Sequence, residues 1–424
     1  MKLSLAIIIS LISLATAAHA ETTYLTAAAL VDPVTGHVTA NPGVLIEDGI
    51  VTAVGEQANL SVPADAEVID LGDRTILPGM IDMHVHLIGD DSIRGYKALA
   101  VSTPLAAIHG VAHARDTLMA GFTTVRNVGA AGYADIALRD AINDGVVPGP
   151  RMFVSGPPVG IIGGHCSDNN LLPPEAESYG ENVATGPWEM RAKVRKNIKY
   201  GVDLIKTCST GGVFSKGTLL GAAQGTMEEL TAIVDEAHMR GLKVASHAHG
   251  TVGIKNAIRA GVDTIEHASY LDDEAIRMAK RKGVYLAMDI YNTEYTLEQG
   301  TANGVLEESL EKERQVGGVQ RESFTKAVKA GVKVVLGTDA AIFPHGDNAK
   351  QLSRMVRFGM TPAQTIRAAT SLAAEALGQD DKLGRIAPGY AADIIAVEGA
   401  PLADVAVLES VDFVMKDGVV YKAP

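Results

Sequence analysis

Residues 202–212 read VDLIKTCSTGG. As a strand, this stretch puts Val202, Leu204 and Lys206 on one face, because strand side chains alternate with a period of two. Two apolar residues on that face point to a core, and the lysine closes the row at its edge. An ammonium there is costly to desolvate. It must either snorkel to water along its own stem or find partners elsewhere in the chain.

On either side, strand-like and helix-like segments alternate from about residue 80 to 375. IDMHVHL is followed by a long helical stretch, TTVRNVG by the helix YADIALRDAIND, and RMFVSG by WEMRAKVRKNIKYG. VDLIKTC leads to TMEELTAIVDEAHMRG. LKVASHAHG, VDTIEHA, VYLAMDIY and VKVVLGTDA complete the series, each with its helix. Eight such units are the pattern of an α/β protein with a closed (β/α)8, TIM-type barrel. The alternative is an open doubly wound sheet, but no G-x-G-x-x-G follows a first strand, so a dinucleotide site is unsupported.

The flanks have a different texture. YLTAAALVDP, GVLIEDGIVTAVG and AEVIDLGDRTILPG at one end, and AADIIAVEG and VDFVMKDGVVYK at the other, are short β-branched runs broken by Gly, Pro and Asp. They suggest one small β-sandwich domain built from both termini. The expected division is a signal peptide at 1–20, the sandwich at 21–79 and 380–424, and the catalytic barrel at 80–379. The signal reading rests on Lys2, the apolar run LSLAIIISLISLATA and the A-x-A site AHA before Glu21. It implies an exported protein, periplasmic or secreted, with no membrane attachment after cleavage.

The 424 residues are 47% hydrophobic and 21% charged, ordinary for a globular chain with a large core. A net charge of −13 argues against a nucleic-acid partner. The two cysteines, Cys166 and Cys208, could pair in an oxidising compartment or stay free; spacing alone does not decide. The assembly state is equally open, a homo-oligomer among the options.

The partners of Lys206 emerge from the strand ends. His84 and His86 lie at i and i+2 on the first barrel strand, on one face. His247 closes the fifth strand, His267 the sixth and Asp339 the eighth. All would converge on the C-terminal mouth, where barrel active sites sit. Imidazoles and a carboxylate suit divalent, zinc-like ions. An ammonium has no lone pair to give, but an amine that takes up CO2 becomes a carbamate, whose two oxygens can bridge two cations. That turns an expensive buried cation into a ligand. His109 and His113, four apart on the first helix, are set aside as structural because barrel sites use strand ends. The basic run KVRKNIKYG reads as a solvated helix face.

The set HVH, DLIKTC, SHAHG, IEHA and GTDA resembles the amidohydrolase superfamily in its two-metal, carbamylated-lysine form. The similarity covers nearly the whole chain after residue 20, including LPGMIDMHVHL and GRIAPGYAADIIAVEG. GGHCSDN, STGGVFS and FPHGDNAKQL resemble, more softly, the branch of Xaa-Pro dipeptidases and metal-dependent carboxypeptidases, including ochratoxin-type amidases; the imidazolonepropionase-like branch shares some of them. The resemblance implies that His84, His86 and Asp339 hold one divalent ion, zinc by first expectation, and His247 and His267 a second. N-carboxylated Lys206 would join the two. A metal-bridging hydroxide would attack the amide carbonyl of a dipeptide or N-acyl amino acid, with Asp339 as general base and then acid. Four further residues are candidates for substrate contact by location: His165, His249, Arg126 and Tyr291. Competing readings are hydrolysis of a cyclic amide, lactone or phosphoester at the same site, a single-metal deaminase, and a binding or scaffold protein with a vestigial metal site.

Overall fold

The computed structural model describes residues 22–166, 170–176 and 180–424. The segment read as a signal peptide and the last three residues of GGHCSDN lie outside the described residues. Among the described residues no helix is long and apolar enough to cross a membrane.

The barrel strands run in chain order around a ring. Strands 1 to 3 (Met80–Val85, Phe122–Asn127, Arg151–Val154) form one parallel sheet. Strands 4 to 8 (Leu204–Cys208, Lys243–Ala248, Thr264–His267, Tyr285–Ala287, Val334–Val335) form a second. Backbone hydrogen bonds close both seams. Asp203 N–H donates to Val154 O, and Val159 N–H to Lys206 O, each at 2.8 Å. On the other side Met83 N–H donates to Leu336 O at 2.9 Å and Asp339 N–H to His84 O at 2.7 Å. The chain is therefore a (β/α)8 barrel. Strands 7 and 8 are shorter than VYLAMDIY and VKVVLGTDA suggest, because residues beyond Ala287 and Val335 leave the ladder and turn into the mouth.

Flanking helices are cut by local chemistry. Met227–His238 starts at a capping box in which Thr226 and Glu229 satisfy each other's backbone N–H, and it buries Leu230, Ile233, Val234 and Ala237 against the strands. Each large aliphatic of that row contributes roughly 1.5–3 kcal/mol. Asp273–Lys282 is capped by Asp272, carries its acids first and its bases last, and ends on left-handed Gly283.

The small domain packs two sheets. One has the order Ile50–Glu56, Pro42–Glu47, Thr22–Thr26, Glu67–Asp70. The other runs Val419–Lys422, Phe413–Lys416, Ile394–Val397, Thr75–Pro78, Ala29–Val31, Val38–Ala40. Leu25, Val44, Ile46, Ile76, Ile394 and Phe413 fill the space between them. N- and C-terminal strands thus share a sheet, and Thr75–Pro78 leads directly into barrel strand 1.

Candidate active site

Lys206 is buried on strand 4, 3% exposed, and its Nζ makes no hydrogen bond or ion pair among the described residues. Burial pushes the amine down to about 8, although Glu266 and Asp339 pull the other way. The strand-end lysine has not snorkelled.

The five other expected ligands converge around the same mouth. His84 Nε2 and His86 Nε2 each lie 3.4 Å from Asp339 Oδ1. The rings of His84 and His267 are 5.0 Å apart and those of His247 and His267 4.5 Å. Donor atoms of His84, His267 and Asp339 lie within 4.8 Å of one another, as do those of His247, His249 and His267. His267 (φ 68°) and Asp339 (φ 60°) are left-handed, as are Ala268 and Ala341. That conformation is uncommon for residues with a Cβ and is tolerated where surrounding structure enforces it. Here it swings both side chains off the strand direction and into the mouth.

Each imidazole is held by an acceptor on its far side. His84 Nδ1 donates to Glu266 Oε2 and His267 Nδ1 to Asp289 Oδ1, both at 2.8 Å. His86 Nδ1 donates to Gly129 O at 3.1 Å, and His247 Nε2 to Gly211 O at 3.2 Å. Acceptors placed this way leave the opposite nitrogen of a neutral ring to carry the lone pair, the arrangement that orients metal-binding histidines. Burial pushes His86 down to about 4 and His247 well below its ordinary range, which keeps both rings neutral. Burial alone would raise Asp339; the charge and hydrogen bond of His84, then His86 and His267, outweigh it and hold the carboxyl ionised. Without a metal, burial and then the Lys206 charge push His84 down, but Asp339 and Glu266 outweigh them and hold it above its ordinary value, a place for positive charge that a divalent cation fits.

The cleft above is lined by His165, His249, Phe214, Asn292, Glu313 and Gln320, among others. His165 stacks near His247, 4.1 Å between ring centroids, and bonds Ser215 Oγ through Nδ1 at 2.9 Å. Gly212 makes room for it: a Cβ there would sit 2.3 Å from His165 Cε1. His249 bonds Ser269 Oγ at 2.7 Å and stacks on His267. Cys166 and Cys208 form a disulfide, Cα atoms 5.8 Å apart, which ties the loop carrying His165 to the strand carrying Lys206. The sequence had left that pairing open.

Two expected substrate contacts are placed elsewhere. Arg126 points along the barrel axis, 3% exposed, and donates to Met83 O, Thr264 Oγ1 and both oxygens of Glu266 at 2.6–2.9 Å. Its donor fork is spent on the barrel, so it has nothing to offer a substrate. Tyr291 is buried against Phe343 with the Arg354 guanidinium over its ring, away from the histidine cleft. His109 and His113 flank Asp90, and His113 also bonds Leu87 O and stacks on His345; they brace the loop after strand 1.

Several site residues escaped sequence reading. Glu266, one residue before His267, faces the axis and joins Arg126 to His84. Its signal was an acid next to His267 within the strand motif VDTIEHA, with an arginine in TTVRNVG to match. Asp289 and Gln320 brace His267 from strand 7's end and from the helix Glu307–Ala330. Asp82 ties strand 1 to strand 8 through Thr338 Oγ1 at 2.6 Å and Asn348 Nδ2 at 2.8 Å.

Glu313 is the cleft's unexpected acid. Burial pushes it up to about 7, opposed by the Thr293 hydroxyl and reinforced by Asp289 and Asp339. A carboxyl whose folded value lies above its unfolded one contributes stability that is lost as pH rises through that interval. In chelator-treated protein, Glu313→Gln is expected to match wild type below about pH 4.5 and to exceed it by up to ~3 kcal/mol at pH 8. Urea unfolding at the two pH values checks this; a gain at low pH as large as at high pH contradicts it.

A barrel mouth with this ligand geometry defines a metal-dependent hydrolase. The chain belongs to the amidohydrolase family, whose profile matches residues 75–421 and whose members bind divalent metals. An ochratoxinase from Aspergillus niger is 33% identical over 426 aligned residues, covering 94% of this chain and 86% of the relative. Among solved structures, a Xaa-Pro dipeptidase with methionine bound in its active site superposes with a TM-score of 0.91 at 38% identity, covering 95% of this chain and 100% of the other. A prolidase complexed with N-methylphosphonate-L-proline superposes with a TM-score of 0.87 at 30% identity, covering 95% and 100%.

Proposed function

We propose that this amidohydrolase cleaves the amide bond of dipeptides or N-acyl amino acids, releasing a free amino acid. The observation that carries the reading is a buried Lys206, without a hydrogen bond or ion pair among the described residues, on the strand end at the mouth where His84, His86, His247, His267 and Asp339 converge. The ochratoxinase and the dipeptidase structure support an amide between an acyl group and an amino acid as the substrate class.

In this reading His84, His86 and Asp339 hold one divalent ion, His247 and His267 a second, and Lys206, carboxylated on Nζ by CO2, serves both; zinc suits the nitrogen-rich set. When bound, the ions polarise the scissile carbonyl and lower the pKa of water. Lys206 reaches the carboxylated state because its amine, pushed down to about 8, is partly neutral near physiological pH. Asp339 accepts the attacking water's proton on Oδ2, which has no hydrogen bond among the described residues, and returns it to the leaving amine. His165 and His249, kept neutral by burial, contact the acyl carbonyl and its surroundings. Export to an oxidising compartment belongs to the same proposal, supported by the Cys166–Cys208 pair and the composition of residues 1–20.

The test is an LC–MS screen of zinc- and bicarbonate-loaded enzyme against a library of dipeptides and N-acyl amino acids. Release of one class of C-terminal amino acid is expected. Metal-loaded enzyme that cleaves nothing in the library, yet opens cyclic amides or lactones, refutes the proposal.

A further inference from the structure

Arg94 lies in the loop after barrel strand 1, just before the short turn of helix Gly95–Ala100. The residue as a whole is half-buried, but its Nη2 is sealed from solvent and has no hydrogen-bond partner. No ion pair engages the side chain among the described residues. The guanidinium carbon sits 5.5 Å from the ring centroid of Phe214, and Phe214 lines the histidine cleft. The acids nearby are committed elsewhere. Asp91 Oδ2 accepts from the Tyr295 hydroxyl at 2.6 Å, and Asp90 Oδ1 accepts from Ser92 N–H and Oγ–H at 2.8 and 2.6 Å. Burial pushes the guanidinium down, and Asp339 leads the acids that pull it back, ahead of Asp91 and Asp90. A buried donor left open on a planar fork needs an explanation, and its natural complement is a carboxylate taken by two parallel hydrogen bonds.

We propose that Arg94, laid over Phe214 at the cleft, is a specificity-determining residue that binds a carboxylate of the substrate's leaving amino acid. The inference rests on the amide reading above. In an N-acyl amino acid the acyl side carries no permanent anion, so an unpaired cation behind the Phe214 edge of the cleft serves the leaving side. Two carboxylates share this chemistry, the α-carboxylate and an acidic side chain.

Binding is measured by calorimetry on the metal-loaded enzyme, with ligands that carry no N-acyl group and that LC–MS shows to be unconsumed. L-methionine against L-methioninamide reads the α-carboxylate. L-isoglutamine, with a free γ-carboxylate and an α-amide, against L-glutaminamide reads the side chain. Wild type is expected to prefer the acid of at least one pair by about tenfold or more, the worth of a charge-assisted hydrogen bond. Arg94→Gln, which keeps the stem over Phe214, should bring that ratio close to one, and Arg94→Lys should restore part of it. Circular dichroism and metal content establish that both variants are folded and loaded. A preference that survives in Arg94→Gln overturns the proposal, as does a wild type with no preference in either pair or no binding of any of the four. Turnover is read separately. Cleavage without Arg94-dependent preference removes Arg94 alone, whereas an Arg94-dependent preference in an enzyme that cleaves no amide removes the amide reading.

Discussion

Lys206→Ala is expected to lower kcat/KM on the order of 10³-fold and to leave less than the full metal complement after dialysis. The argument is geometric. Lys206 is buried, and no hydrogen bond or ion pair engages its Nζ among the described residues, at the mouth where His84, His247 and His267 meet. Stability should move the opposite way. A lysine held at about 8 against 10.5 in the open chain lowers folded-state stability, and the loss is recovered only as pH rises through that interval. In metal-free, CO2-depleted protein at pH 7, Lys206→Met should therefore unfold later than wild type, by up to ~3 kcal/mol. Metal analysis, steady-state kinetics and urea unfolding read the three effects. A Lys206→Ala enzyme with two metals per chain and wild-type turnover would end the carbamate model.

The second large effect belongs to Glu266. Its carboxylate is fully buried, accepts from Arg126 Nη2 at 2.8 and 2.9 Å and from the Thr264 hydroxyl, and orients His84. Burial alone would raise this acid; Arg126 and then His84 outweigh burial and hold it ionised well below the carboxylate range. Glu266→Ala strands the Arg126 guanidinium in the barrel, so a loss of about 3–5 kcal/mol is expected. His84 also loses the acceptor that fixes its tautomer, and metal affinity should fall about 10–100-fold. Pairing the change with Arg126→Met should recover much of the stability, since a buried pair can be replaced by apolar packing, but none of the metal affinity. Urea unfolding and competitive metal titration separate the two. Equal recovery of both would show that Glu266 acts on the metal only through the fold.

Much of this site could be read from strand ends, and the physical reason is period. HVH, SHAHG, IEHA and GTDA each put a ligand-type side chain where a strand gives way to a loop, and barrel closure brings those places together. Lys206 was legible because a charge in an apolar row demands a partner. Arg126 was misplaced because its position on strand 2 is compatible with either the mouth or the axis; only the register puts it level with Thr264 and Glu266 across the interior. Tyr291 was misplaced for a related reason: strand 7 ends early at Ala287, and in the irregular stretch that follows Asp289 and Asn292 face the cleft while Tyr291 packs on Phe343. Arg94 carries no periodic signal at all. Its significance appears only when the loops after strands 1 and 4 are seen against each other and the nearby acids are found already taken.

The shared sheet of the small domain sets an order of events during synthesis. Thr75–Pro78 has Ala29–Val31 on one side, made shortly before it, and Ile394–Val397 on the other, made only after the whole barrel. A nascent chain leaving the ribosome therefore carries a bare strand edge through most of its elongation, a surface open to stray pairing. The same segment runs on into Met80–Val85, which carries His84. Ile394–Val397 thus acts as a timing lock: the strand that feeds the mouth is flanked on both sides only once the barrel has been made, and a product clipped before residue 394 keeps an exposed edge in its place.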